Sequence, residues 1–193
     1  MVADPSVVMS YSQSRQIDDA GVLLADDYFY YTDAISKSHW RKPYVVDGRV
    51  EIREYLAVKN TIPNVSAVVF RRKALLETLR DNIDLIPHMR VAGDWMTYIA
   101  VLERGRIAYS PKSLNTHRRH SRSVTHATER LPHLLEVLQV QKRVQAHHAP
   151  SRETRAAARQ YAEWLYRHLG LSTKFAPRLQ DHTAIAPFLI TDS

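Results

Sequence analysis

Asn60-Thr-Ile-Pro-Asn64-Val-Ser66-Ala-Val-Val-Phe-Arg71-Arg72, then Ala92-Gly93-Asp94-Trp95, then Leu114-Asn-Thr-His117-Arg118-Arg119-His120 with Ser123-Val-Thr125, are the parts of residues 60–125 whose reading decides the fold. The first piece is a turn followed by a β-branched strand over 66–71, because Pro63-Asn64 interrupts any helical run. The second opens a helix over 94–104. Trp95, Tyr98, Ile99 and Leu102 fall at i, i+3, i+4 and i+7, an apolar stripe. Asp94 stands at the N-cap or first turn, where unpaired N–H groups and the helix dipole favour a carboxylate. Gly105 supplies the stop. The third piece reads as strands at 106–110 and 114–119 on either side of Pro111.

Upstream, residues 6–11 form a short apolar strand without helical periodicity. Asp18-Asp19-Ala20-Gly21 has turn chemistry, and Tyr28-Phe-Tyr-Tyr31 reads as strand or loop. Ile52, Tyr55 and Leu56 suggest a short helix within 49–59, and 73–80 another. Downstream the character becomes helical. Leu131, Leu134, Leu135 and Leu138 make one stripe, and Ala157, Tyr161, Trp164, Leu165 and His168 a second. Pro150 separates them, Ser151 caps the second and Gly170 ends it. The expected organisation is α/β. A sheet with flanking helices occupies 1–126, a helical hairpin packs on it over 127–170, and a loosely ordered tail fills 171–193.

The chain has 193 residues, 45% hydrophobic and 24% charged, which suits one domain with a small appendage. It has no cysteine, so disulfide frameworks and thiolate chemistry are excluded. No apolar run reaches the roughly 18 residues that span a bilayer. No basic stretch followed by an apolar one opens the chain, and the expectation is a cytoplasmic protein, with the inner membrane face as a possible place of work. The formal charge of +7 is uneven: residues 104–178 hold 15 Lys and Arg against 4 Asp and Glu. That basic half suits a phosphate-bearing ligand, an anionic membrane surface or nucleic acid. No helix-turn-helix or zinc-finger pattern accompanies it.

Asp94 is the candidate general base, a carboxylate held at a helix start on the rim of a sheet; the plainer alternative is a helix cap. His117 and His120, three apart on a strand, point to opposite faces and do not make a zinc pair. One of them can complete a divalent-metal or pyrophosphate site, with Arg118, Arg119 and Arg122 offering charge to phosphate oxygens. Asn60, Asn64 and Ser66 can hydrogen-bond a hydroxylated acceptor or simply form turns. Trp95 stands beside the acid. The Asp pairs at 18–19 and 26–27 read as turns.

In this order and spacing the three pieces resemble bacterial family 2 glycosyltransferases, including the large members that build surface polysaccharides. The stretches Asp4-Pro-Ser-Val-Val-Met-Ser-Tyr-Ser-Gln13 and Ile17-Asp-Asp-Ala-Gly21 fit the same likeness, which covers residues 3–126. The resemblance implies part of a GT-A fold, helices around a mostly parallel sheet. It also implies inverting transfer from a nucleotide sugar to a glycan or lipid-linked acceptor. Asp94 matches the catalytic base. His120, or less closely His117, matches a late histidine that helps hold a Mg²⁺ or Mn²⁺ ion and the diphosphate. Segment 60–66, with Trp95, matches the acceptor side.

The departure is that no Asp-x-Asp occurs in this sequence and the family's nucleotide-binding half has no counterpart in it. The expectation is therefore an enzyme component inactive by itself, completed by an N-terminal-half protein or self-associating. A sheet lacking its first strands exposes an edge and apolar surface. Two other readings stand beside it: a basic binding module for nucleic acid or an anionic membrane surface, and a nonfunctional truncated remnant.

Overall fold

The computed structural model describes residues 4–119 and 130–183 together with Ile185 and Phe188. The chain runs through β1 (Val7–Ile17), β2 (Leu23–Ala25), α1 (Phe29–Thr32), β3 (Tyr44–Asp47) and α2 (Gly48–Glu51), which passes into a π-helical turn (Ile52–Leu56). It continues through β4 (Val68–Phe70), α3 (Arg72–Asp81), α4 (Gly93–Leu102), β5 (Arg106–Arg118), α5 (Arg130–His148), α6 (Arg152–His168) and α7 (Leu171–Lys174).

Among the described residues the strands form one mixed, curled five-stranded sheet in the order β2-β1-β5-β3, with β4 also pairing β1. Only β1 and β5 are parallel; β2 and β4 on one side of β1, and β3 beyond β5, are antiparallel. The resemblance led to the expectation of a mostly parallel sheet, and local connections explain the difference. The turn after β1 folds straight back into β2: Gly21 takes φ +87°, and Asp18 Oδ1 accepts the Val22 N–H at 2.8 Å. Antiparallel pairs need only such turns, whereas a parallel pair needs a long crossover. Here the crossover from β1 to β5 contains every element from β2 to α4.

The strand registers show an amphipathic sheet. Met9, Tyr11, Ile107 and Tyr109 are buried on one face, where Tyr44, Val46, Val68 and Phe70 join the core. Their neighbours in register point the other way: Val69 opposite Ser10, Ser10 opposite Ala108, Ala108 opposite Val45. Val69 is 60% exposed and Val45 44%. Val69 and Leu114, the latter 72% exposed, border a shallow groove of about 410 Å³ over Ser10, Ser12 and Ser110. This second face carries small and apolar residues that no described helix covers.

The stripe expected on α4 is there, but the helix is buried nearly all round. Trp95, Met96, Tyr98, Ile99, Val101 and Leu102 are each at most 2% exposed. Two glycines permit that depth. A Cβ on Gly48 would strike the carbonyl oxygens of Leu102 and Gly105, and one on Gly105 would lie 2.5 Å from Ser6 O and 2.6 Å from a Val8 methyl. Gly105 therefore serves close approach of chain segments and not a left-handed helix end.

Residues 28–31 are largely helix, within α1, and not a strand. In α5, Leu134 and Leu138 are core residues while Leu131 and Leu135 lie at its margin. In α6 the buried row is Thr154, Ala158, Ala162, Leu165 and Tyr166. The expected aromatic row lies beside it, with Trp164 stacked between Tyr161 at 5.8 Å and His168 at 4.7 Å. Of the expected stripe Leu165 is buried and Tyr161 packs against the core, while Trp164 is 54% exposed. Ser151 Oγ accepts the Thr154 N–H at 3.1 Å, and Gly170 adopts φ +67° after the helix, both as expected. Beyond it, Leu171 and Leu179 are buried and the Tyr166 hydroxyl donates to Ala176 O at 2.6 Å. The described part of 171–193 is thus packed on α6. Among the described residues no helix is long and apolar enough to cross a membrane.

A polar network runs through the core. Trp40 Nε1 donates to the Tyr11 hydroxyl (2.7 Å), which lies 3.0 Å from the Tyr44 hydroxyl, and Tyr44 donates to Glu51 Oε1 at 3.0 Å. Because Glu51 as a carboxylate only accepts, Tyr11 donates to Tyr44. Glu51 Oε2 pairs with His39 Nε2 at 3.0 Å, and Glu51 is 1% exposed. Removing one member of such a network strands the others without partners. Glu51→Ala should lower unfolding free energy by about 3 kcal/mol or more at pH 7. Urea denaturation measures this, and a loss near zero would show the network to be dispensable.

Candidate functional site

Helix α4 ends where β5 begins, so it runs back along the sheet and sets its N-terminus toward the carboxyl ends of β1 and β5. The crevice outside the carboxyl ends of parallel strands is where open α/β sheets bind ligands. Asp94 is the second residue of α4; Ala92 is the N-cap and supplies no side-chain bond. Asp94 Oδ1 accepts the Trp95 N–H at 2.7 Å, and Oδ2 faces Asn60 Nδ2 at 3.4 Å. Burial raises the carboxyl pKa above its ordinary value, and the bonds from the Trp95 N–H and Asn60 oppose the rise in part. A raised carboxyl pKa moves a group toward what a general base requires near neutrality.

Asn60 connects the acid to α1. The Tyr31 hydroxyl donates to Asn60 O at 2.9 Å. Lys59 Nζ donates to Tyr31 O at 2.5 Å, lies 3.7 Å from the centre of the Tyr31 ring and 5.7 Å from that of Tyr161 on α6. Burial lowers the Lys59 pKa to about 8. The Tyr31 hydroxyl is driven well up, by burial first and then by the nearby Tyr161 and Asp94. One turn along α4 from Asp94, the Tyr98 hydroxyl is buried with no hydrogen-bond partner among the described residues, and so is Thr61 Oγ1.

At the other end of α1, Tyr28 stands 6.4 Å from Tyr31, ring to ring, and its hydroxyl meets His117 Nδ1 at 2.5 Å. The Arg119 side chain hydrogen-bonds Tyr28 as well, and the Arg119 N–H donates to Ile17 O at 2.7 Å. A continuous series of contacts thus runs from Asp94 through Asn60, Tyr31 and Tyr28 to His117 and Arg119. Arg118 is placed differently. Its Nη1 donates to the carbonyls of Asp18 and Asp19, at 2.8 and 3.0 Å, and clamps the β1–β2 turn. His120 and Arg122 lie outside the described residues.

The acceptor-side candidates separate. Asn60 reaches the acid. Asn64 and Ser66 belong to a network with Ser14 and Asn115: Asn64 Nδ2 donates to Ser14 Oγ (3.1 Å), Ser66 Oγ to Asn64 Oδ1 (2.8 Å), and Asn115 Nδ2 lies within 3.2 Å of all three partners. Trp95 is 2% exposed, with its indole N–H on Leu56 O at 3.1 Å, so its ring anchors α4 in the core. Arg71 holds the start of β1 through Val7 O and Asp4 O. Tyr28, Tyr31, Lys59 and Tyr161 were not legible as site residues. The aromatic run at 28–31 was visible, but only its helical turn aims two rings at the two halves of the site. Among the described residues no three His, Asp or Glu side chains gather as a metal site.

Two titrations follow. With its folded pKa raised, Asp94 favours the native state when protonated, and that contribution is lost as pH rises through the folded pKa. Asp94→Asn should therefore be more stable than the parent at pH 7, with the advantage shrinking on acidification; urea midpoints across pH test this. Lys59 has the opposite sign. Its folded pKa of about 8 lies below the ordinary 10.5, so the native state gains stability as pH rises between these values. Lys59→Met should lack that gain in the same measurement.

The chain matches no protein-family model, no curated protein and no solved structure.

Proposed function

We propose that the chain is the acceptor-side, catalytic-base half of an inverting glycosyltransferase, active in sugar transfer from a nucleotide sugar when a nucleotide-binding half is supplied. The observation that carries the reading is the linkage of a partly buried carboxylate with raised pKa, Asp94, to a basic strand end, His117 and Arg119, by one line of contacts through Asn60, Tyr31 and Tyr28. Such transfer needs a base beside the acceptor and positive charge beside the leaving diphosphate. The line of contacts from Asp94 to His117 supports assigning these two roles to one site.

In this reading Asp94 Oδ2 takes the proton from the acceptor hydroxyl as its oxygen attacks the anomeric carbon. Asn60, donating to the same carboxylate oxygen, fixes the acid's orientation. The diphosphate leaves from the opposite side, so the anomeric configuration inverts. Arg119 offsets charge on the leaving group, with Arg122 in the same basic stretch, while Arg118 keeps the strand end in place. A Mg²⁺ or Mn²⁺ ion would supply Lewis-acid help to the diphosphate in a completed enzyme. His120, in the basic stretch after β5, would help hold it, with the remaining ligands supplied by the completing half. The uncovered face bearing Val45, Val69 and Leu114 supports a chain completed by further structure. The acceptor is a glycan or a lipid-linked sugar.

The test is co-expression with the nucleotide-binding half of a family 2 enzyme, followed by an assay of sugar transfer. Asp94→Asn should reduce kcat by roughly 10²–10⁴-fold, the usual contribution of a general base, with the circular dichroism spectrum unchanged. Full activity in Asp94→Asn would remove the base assignment.

A further inference from the structure

Helix α5 touches the site's supporting segments at two points, and both contacts go to backbone. The Glu136 carboxylate accepts three consecutive N–H groups: Arg90 on Oε1 at 2.9 Å, and Val91 and Ala92 on Oε2, each at 2.8 Å. Ala92 is the N-cap of α4, two residues before Asp94. A loop entering a helix rarely finds one ionised group for three successive donors, and such charge-assisted bonds are the strong ones. One turn further on, Gln141 is 1% exposed and its Nε2 donates to Val58 O at 2.8 Å and Ala158 O at 3.0 Å. Val58 lies two residues before Asn60. Gln141 therefore ties the Asn60 segment to α5 and α6 together. The Tyr161 ring of α6 adds a third contact, on Lys59 at 5.7 Å.

We propose that Glu136 and Gln141 are positioning residues through which the α5–α6 pair holds Asp94 and Asn60 in register with each other. The helix pair is then part of the site's construction and not an appendage to the sheet. The inference deepens the glycosyltransferase reading and rests on it for the word catalytic; the geometric claim concerns Asp94 and Asn60 whatever reaction they serve. Neither residue touches substrate. Each acts through the backbone that carries a site residue.

The groups bearing on Asp94 are the Trp95 N–H, Asn60, and the hydroxyls of Tyr31 and Tyr98. Glu136 is a like charge whose Oε2 meets the Ala92 N–H, two residues from Asp94, so its loss acts on the Asp94 titration directly. Gln141→Met removes no charge, and a shift of the Asp94 titration in that variant reports movement of the segment. Glu136→Gln keeps one accepting oxygen and turns an amide N–H₂ against at least one of the three backbone donors.

The experiment is carbon-13 carboxyl NMR titration of Asp94, with amide hydrogen exchange, on the full chain. In Glu136→Gln the amides of residues 90–92 should exchange about tenfold faster or more. Asp94 should titrate at lower pH, nearer a solvated carboxylate. Gln141→Met, which keeps bulk and drops both donated bonds, should alter the Asp94 titration while leaving the amides of 90–92 protected. It also serves as the reading if Glu136→Gln does not fold. Leu165→Ala, which empties a buried position on α6 away from these contacts, should lower stability and leave the Asp94 titration in place. An unchanged Asp94 titration in Gln141→Met overturns the proposal, as do unaltered exchange of the 90–92 amides in Glu136→Gln and an equal shift of the Asp94 titration in Leu165→Ala. None of these readouts needs sugar transfer, so the positioning role and the base role of Asp94 fail separately.

Discussion

The parallel pairing of β1 with β5 is the constraint from which the rest follows. Two adjacent strands running the same way cannot be joined by a turn, so the chain must leave the sheet and return. It does so over residues 18–105, and Tyr28, Tyr31, Lys59, Asn60 and Asp94 all lie within that excursion. The return helix α4 has to run against β5, which points its first turn in the direction in which both parallel strands finish. The close passage of Gly48 and Gly105 against neighbouring carbonyls lets the helix sit deep against the sheet. From there Asn60, Tyr31 and Tyr28, all on the same excursion, lead from Asp94 to His117 at the basic end of β5.

Much of this frame was legible from local pattern. The α4 stripe, the Asp18–Gly21 turn, the Ser151 cap and the Gly170 terminus all depend on residues within a few positions of one another, and all appear. What escaped depends on distant partners. Periodicity in α6 ranked Tyr161, Trp164 and His168 by hydrophobic bulk, but Trp164 is 54% exposed and the buried row runs through Ala158 and Ala162. Trp95 next to an acid looked like a ligand wall, but its indole N–H is bonded to Leu56 O in the core. Asn64 and Ser66 have the composition of a binding loop, and their bonds to Ser14 of β1 and Asn115 of β5 depend on partners about 50 residues away. Lys59 carried no mark of its own, since nothing local says that two tyrosine rings from opposite ends of the chain will meet it.

The site also carries a cost in stability. A carboxylate with raised pKa and a lysine with lowered pKa both oppose folding at neutral pH, and they sit a few residues and one hydrogen bond apart in the same cluster. Compensation comes from elsewhere: the fully engaged Glu51 network beneath the sheet and the three backbone donors gathered by Glu136. A region that is locally unfavourable and held by its surroundings is what a preorganised reactive group requires.

The register between β1 and β5 shifts in the middle of the pair. Ser12 stands opposite Ser110 and Gln13 opposite Ser113, so β5 carries additional residues after Ser110 before regular pairing resumes with Ser14 opposite Asn115, which sets Gln16 opposite His117. Side chains alternate along a strand, so the number of residues here decides whether His117 or its neighbour meets Tyr28. The number of residues between Ser110 and Asn115 fixes that outcome. Most surface segments tolerate a gained or lost residue and resist change in their buried neighbours. At this point the rule is reversed, and a single-residue deletion would exchange the two faces for every side chain in the remainder of β5.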